Sequence, residues 1–343
     1  MTLPVFPNPI SLNQVNVELG LAGTTLISLN QASVRTLAGV PSGAISMNNL
    51  HGKSNRVSIV YNITSDLAGS FTVNVASVPG YVAGLTDITV NVSAGIYVYR
   101  TDTSFQTLMF IGGTAGDAIV VNNSGYILGC GGAGGSGSNG SVSPGTPGFG
   151  GSGSGAVSCI ACPASLTVNN AVGAYIAGGG GGGAGGFYAG GGGGAGGGVG
   201  GGVQSWIFSG GAGGGPGLSG QNGAFVSHPT YVTVYSGGGG GRVLPGSTTF
   251  AGAFILSKVG YGGTAGGVGA GNADAGELGG YGGGPSQAGE AMMNGYSAGG
   301  GGGWGAAGGS TPAASGGNAG YAIARPSGVF TLNNSGTIYG AIL

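Results

Sequence analysis

Few residues in this chain could do chemistry. Cys159-Ile160-Ala161-Cys162 is a C-x-x-C pair, the spacing of redox dithiols and of half a zinc site. A redox dithiol needs an activating helix start, and zinc needs a second ligand pair. Cys130 is the other cysteine, and His228 is remote in sequence. The pair therefore reads as a disulfide-like staple or as two buried thiols. Gly52-Lys53-Ser54 matches the end of a phosphate-binding loop, but the motif also wants glycine where Met47 stands. Asp66, Asp87, Asp102 and Asp117 fall near turns, where solvated acids are expected, and nothing supports calcium there. His51 and His228 offer little for general acid–base work. Asn62 and Asn91 open glycosylation sequons by chance, with no eukaryotic secretory signal beside them. The expectation is a protein that is not an enzyme and uses no cofactor and no metal.

The elements that would position such residues are unusual. The chain has 343 residues, of which 90 are glycine, and only 4% are charged. An ordinary soluble protein has roughly 25% charged residues. A net charge of −1 gives no electrostatic footprint for nucleic acid. No apolar run is long enough to predict a spanning helix, so membrane insertion is not expected. The start, Met1-Thr2-Leu3-Pro4, lacks the basic and apolar regions of a secretory signal. This combination fits a virion component, made in the cytoplasm and released by lysis.

Three zones follow along the chain. Residues 1–54 contain a repeat: Ile10-Ser11-Leu12-Asn13-Gln14 returns as Ile27-Ser28-Leu29-Asn30-Gln31 and as Ile45-Ser46-Met47-Asn48-Asn49. Serine suits a helix N-cap. Leu12, Val15 and Leu19 share one helical face, and Leu29, Ala32 and Leu37 give a weaker copy. Gly20 and Gly39 are the expected stops. Helices this short must pack on something, so the zone is read as an attachment module. Residues 55–128 alternate with β-branched side chains, as in Val57-Ser58-Ile59-Val60-Tyr61, and predict a small β-sandwich.

Residues 129–343 form the glycine-rich zone. Its spacers carry aromatic residues instead of the serines and charges of a flexible linker. An Asn-Asn element recurs as Val121-Asn122-Asn123-Ser124-Gly125, as Val168-Asn169-Asn170-Ala171-Val172 and as Leu332-Asn333-Asn334-Ser335-Gly336. It predicts a repeated turn that launches each glycine pass. Collagen is excluded because the glycine phase slips and prolines are few. The expected alternative is a bundle of polyproline-II-like glycine helices whose backbone groups bond to neighbours. The expected fold class is thus mainly β and irregular: short N-terminal helical repeats, a small β-sandwich, then a polyglycine-II-type helix bundle.

The glycine runs with aromatic spacers resemble the receptor-binding adhesins at the tips of T-even-type phage long tail fibres. The Asn-Asn lead-ins resemble the C-terminal regions of phage tail host-specificity proteins. The Ile-Ser-Leu-Asn-Gln block, with Gly39-Val40-Pro41-Ser42-Gly43 and Leu50-His51-Gly52-Lys53-Ser54, is similar to short modules in many phage tail proteins. The chain departs from the adhesin pattern in its extra β zone and its helical repeats. The resemblance implies a scaffold that presents variable loops to a bacterial outer-membrane protein or a surface glycan. Expected partners are that host molecule and other phage tail or baseplate proteins, with a homotrimer by analogy. Location would be the virion, and extracellular after release.

Loops on a rigid scaffold are where recognition usually sits, and uncharged aromatic loops have paratope-like chemistry. The candidate receptor-binding residues are Phe187, Tyr188, Trp206, Phe208, His228, Tyr231, Tyr235, Tyr281, Tyr296 and Trp304. Candidate virion-attachment residues are Leu12, Val15, Leu19, Leu29 and Leu37. The competing class is a purely structural virion or cell-wall protein. An ice-binding protein would need a regular Ala/Thr face, and a glycan depolymerase would need clustered carboxylates.

Overall fold

The computed structural model describes residues 2–138, 147–186, 189–202, 287–289, 291 and 298–343, together with the backbone of two strands within 225–235. Residues 1–54 build a small apolar core of their own. Helix α1 (Leu12–Glu18) starts at Ser11, whose hydroxyl accepts from the Gln14 N–H while Gln14 Oε1 accepts from the Ser11 N–H at 2.8 Å. This reciprocal cap satisfies two donors that a helix start leaves free. Helix α2 (Ala32–Ala38) begins after Gln31 and ends on Gly39, whose φ of 71° is the left-handed stop. A 3-10 turn follows at Met47–Leu50. Leu3, Val15, Val34, Leu37 and Leu50 meet between these elements.

Beyond residue 56 the chain winds as a coil with three flat faces. The first turn of the coil lays down β1 (Val57–Ile63), β2 (Leu67–Ala68) and β3 (Phe71–Asn74). The second lays down β4 (Thr86–Val92), β5 (Tyr97–Tyr99) and β6 (Leu108–Ile111). The third gives β7 (Ala118–Asn123), β8 (Tyr126–Leu128) and β9 (Val157–Ser158). The fourth gives β10 (Ser165–Asn170), β11 (Tyr175–Ala177) and β14 (Ile323–Ala324), and the fifth β15 (Phe330–Asn334) and β16 (Thr337–Tyr339). Each strand pairs in parallel with its counterpart one turn earlier, giving sheets β1-β4-β7-β10-β15, β16-β11-β8-β5-β2 and β14-β9-β6-β3. Ile342 bridges in parallel to Ile323 and continues the third face.

This overturns the expected fold class. A sandwich joins antiparallel strands by short turns, whereas every pairing in these three sheets is parallel. Among the described residues, antiparallel pairing is confined to β12 (Phe225–His228) with β13 (Tyr231–Tyr235) and to the Thr311–Ala314 bridge. Nor, among the described residues, is the glycine zone a helix bundle. Among the described residues its runs form neither helix nor strand. They are excursions of the coil, running out after β8 and after β11 and returning at β9 and β14. The reason is that their flanking strands are already committed to two faces of the same coil.

Parallel register stacks like on like. Ile59, Ile88, Ile119, Leu166 and Phe330 form one inward column, and Tyr61, Val90, Val121, Val168 and Leu332 the next. Val98, Ile127, Ile176 and Ile338 line the second face, and Leu108, Val157 and Ile323 the third. The central members are fully buried. At roughly 1.5–3 kcal/mol for each buried aliphatic side chain, these columns are the main source of stability.

Candidate functional site

The Asn-Asn element is two ladders. The first asparagine points outward, and Asn91, Asn122, Asn169 and Asn333 each donate a side-chain N–H to the asparagine one turn earlier, at 2.7–2.8 Å. The second is buried at Asn123 and Asn170 and exposed at its last member: Asn123 donates to Asn170, and Asn170 to Asn334, both at 2.8 Å. Asn123 Oδ1 also accepts from the Gly125 N–H at 3.1 Å, which sets the corner. A Cβ on Gly125 would lie 2.5 Å from the Ile96 and Ser93 carbonyl oxygens, so only glycine fits. The element is therefore a corner with its preceding strand, and it carries the chain from the first face to the second.

Just past that corner stands a second stack. Tyr97, Tyr126, Tyr175 and Tyr339 follow one another with ring centroids 4.7, 5.7 and 6.3 Å apart. They pack with Leu128, Ala177, Ala195 and Trp304 where the glycine excursions leave the coil.

The excursions are held by their own peptide groups. Gly194 donates to Gly132, Gly132 to Gly180 and Gly180 to Ala195, at 2.8–2.9 Å. Gly308 donates to Gly317, Gly317 to Gly182, Gly182 to Gly151 and Gly151 to Ala133, at 2.7–2.9 Å. A Cβ on Gly132, Gly179, Gly181 or Gly182 would land on a neighbouring backbone carbonyl. Glycine is required there because backbone packs on backbone, and each bond contributes about 1 kcal/mol net.

This lattice has two ends. Near the coil, Gly129 bonds to Ala177, Gly305 to Gly178 and Gly320 to Gly179. At the far end, Ser138 bonds to Gly186, Gly186 to Ala189, Gly137 to Gly202, and Thr311 Oγ1 to Gly185. Ala189 also packs on Ala298. The chain positions flanking 139–146 and 187–188, the start of the segment after Gly202 and the residue following 292–297 thus gather at one end. Phe149 is 70% exposed near that end, an aromatic residue the sequence reading passed over although Gly148-Phe149-Gly150 has the same aromatic-in-glycine pattern.

Among the candidate receptor residues, Phe187, Tyr188, Trp206, Phe208, Tyr281 and Tyr296 lie outside the described residues. His228 and Tyr231 pair across the β12–β13 hairpin, and Tyr235 pairs with Phe225. Trp304 is 1% exposed, and its Nε1 has no hydrogen-bond partner among the described residues. Of the candidate attachment residues, Val15 and Leu37 are buried, Leu19 and Leu29 half-buried, and Leu12 exposed. Val5, Phe6, Val17, Leu21 and Leu26 are exposed as well, Leu26 almost completely.

The acids near turns do not all behave as solvated turn acids. Asp117 is buried, accepting from the Thr86 and Thr114 N–H groups and from the Tyr81 hydroxyl at 2.8–3.0 Å. It is a tie between two turns of the coil. Asp87 forms an ion pair with Arg56. Asp102 remains exposed, and the Ser104 N–H and then Arg100 hold its carboxyl below the usual range. Cys130, Cys159 and Cys162 are unbonded and buried. Among the described residues no cluster of three metal-ligating side chains forms, and no helix is long and apolar enough to cross a membrane.

No family model and no curated protein matches the chain. Among solved structures it is similar to the gp37-gp38 adhesin tip complex of the bacteriophage S16 long tail fibre. The likeness covers 98% of this chain and 99% of that one, with 20% identity and a TM-score of 0.40.

Proposed function

We propose that this chain is a bacteriophage tail-fibre or tail-tip protein that attaches to the virion through residues 1–54 and binds a host-surface receptor through the segments at the far end of the glycine lattice. The observation that carries the reading is the gathering of segment ends there, at Ser138, Gly186, Ala189, Gly202 and Thr311. The backbone lattice fixes Gly186, Ala189 and Gly202, the described residues that flank or precede Phe187, Tyr188, Trp206 and Phe208 in the chain, and fixed flanks lower the ordering cost of recognition. The sequence resemblance to phage adhesins points the same way. The exposed Phe6, Leu12, Val17 and Leu26 support attachment by residues 1–54, since so many apolar side chains left in water mark a contact surface.

Binding of the labelled, purified protein to a panel of bacterial strains tests the receptor reading. Changing Phe187, Tyr188, Trp206 and Phe208 together to serine should abolish binding while the circular dichroism spectrum stays the same. Unchanged binding would reject that surface. Incorporation into virions without binding to any strain would favour a purely architectural role. Leu26→Asp, at a side chain 98% exposed, should lower incorporation into particles without lowering the melting temperature.

A further inference from the structure

The coil has two ends, and they match. One is made by β1, β2 and β3, the other by β15, β16 and Ile342, and among the described residues no strand pairs with their outer edges. The inward columns of the first face begin on Ile59 and Tyr61 and finish on Phe330 and Leu332, all half-buried. Leu67 and Ile338 close the second face in the same way, and Phe71 and Ile342 the third. The backbone edges fit as well. Val57 donates to the Leu85 carbonyl, so by the alternation of a parallel ladder Ser58, Val60 and Asn62 turn their peptide groups to the open side of β1. Leu166 donates to the Val329 carbonyl, so Phe330, Leu332 and Asn334 turn theirs to the open side of β15. Register carried through the sheet matches Phe330 with Ile59 and Leu332 with Tyr61. Each outward residue of β15 would then meet the two outward residues that flank its match in β1, as a parallel ladder requires. The outer asparagine ladder stops with complementary ends. Asn62 accepts from Asn91 and Asn333 donates to Asn169, which leaves the Asn62 amide N–H and Asn333 Oδ1 without a partner among the described residues. Neither β1 nor β15 carries a charge, a proline or a bulge, the devices that keep edge strands from pairing.

We infer that the occupant of each end is a second copy of this chain, with β15 of one molecule pairing in parallel with β1 of the next. The columns and the outer asparagine ladder run on across the joint, where the Asn62 amide of the second copy donates to Asn333 Oδ1. The absence of charge on both strands means that no like charges meet there. The contact joins two different surfaces and leaves one of each unused, so it builds linear stacks instead of closed pairs. The inference is independent of the receptor reading.

Sedimentation velocity on the full chain over a range of concentrations tests it. The protein should form dimers and longer species as concentration rises. Ile59→Asp blocks one end and Leu332→Asp the other, so each variant alone should stay monomeric, and an equal mixture should form dimers and nothing longer. Circular dichroism melts check that both variants fold. Val60→Pro replaces Ile59→Asp if that variant melts early, since Val60 is exposed and its N–H faces the open edge. A wild-type chain that is monomeric at every concentration would overturn the proposal. So would a mixture that stays monomeric, or self-association of either variant alone, which would mean that the copies meet by some other surface.

Discussion

The side-chain amide of Asn333 donates to Asn169 Oδ1 at 2.8 Å, although 164 residues separate them. The same bond joins Asn91 to Asn62 across 29 residues, Asn122 to Asn91 across 31 and Asn169 to Asn122 across 47. One geometric rung thus repeats while the chain between rungs grows. The coil is the constant part, and the glycine lattice is what the later turns carry.

Breaking the two ladders should separate exposed from buried amides. Asn169→Ala loses one donated and one accepted bond at a partly solvated position, and should cost about 1 kcal/mol. Asn170→Ala takes the acceptor from the buried Asn123 amide and removes the donor to the exposed Asn334, and should cost about 3 kcal/mol, most of it at Asn123. Urea denaturation of the two variants measures the difference. Equal losses would mean the inner ladder has no special role.

The glycine lattice predicts a sharp contrast between two glycines. Gly182→Ala puts a methyl on the Ala133 carbonyl, which is backbone and cannot swing aside, so the variant should lose more than about 4 kcal/mol or fail to fold. Gly202→Ala meets nothing within 4 Å and should be neutral or stabilising by about 0.5 kcal/mol. Thermal melts of the pair read this directly.

Trp304 joins the lattice to the tyrosine stack. Trp304→Ala should cost about 3–5 kcal/mol through the cavity it leaves beside Leu128, Ala177 and Ala195. Amide exchange should quicken at Gly178 and Gly305 before it quickens at Val121, because the loss is local to where the excursions leave the coil.

Burial pushes the Cys130 thiol up to about 11 from an ordinary 9.0. The folded state therefore holds this proton to higher pH than the unfolded chain does. Below pH 9 both states are protonated and the contribution is fully present. As pH rises from 9.0 toward 11 the unfolded chain sheds the proton first, and stability falls by about 2–3 kcal/mol. Cys130→Ala should flatten this part of the stability–pH curve, and a curve of unchanged slope would contradict the assignment.

Some of this was legible in the chain itself. The N-terminal repeat marked Ser11 and the stop at Gly39, because capping and left-handed termination are local chemistry. The Asn-Asn element was visible as a repeat, but its meaning was not. Alternating apolar residues separated by turns fit a parallel coil as well as an antiparallel sandwich. The distinguishing signal, one rung matched to the next, is scrambled by intervals of 29, 31, 47 and 164 residues. Phe149 escaped notice because exposure is not written in composition.

Sequence alone determined that glycine, not side chains, must make much of the contact in the second half, since a segment with so few charges and large residues has little else to pack. Tertiary structure decided which glycines touch which carbonyls, that β7 and β10 lie side by side although the first glycine excursion separates them, and that Asp117 is buried while Asp102 is not. Those outcomes depend on register between distant strands, and register is set by the whole set of stacked columns at once instead of by any local run of residues.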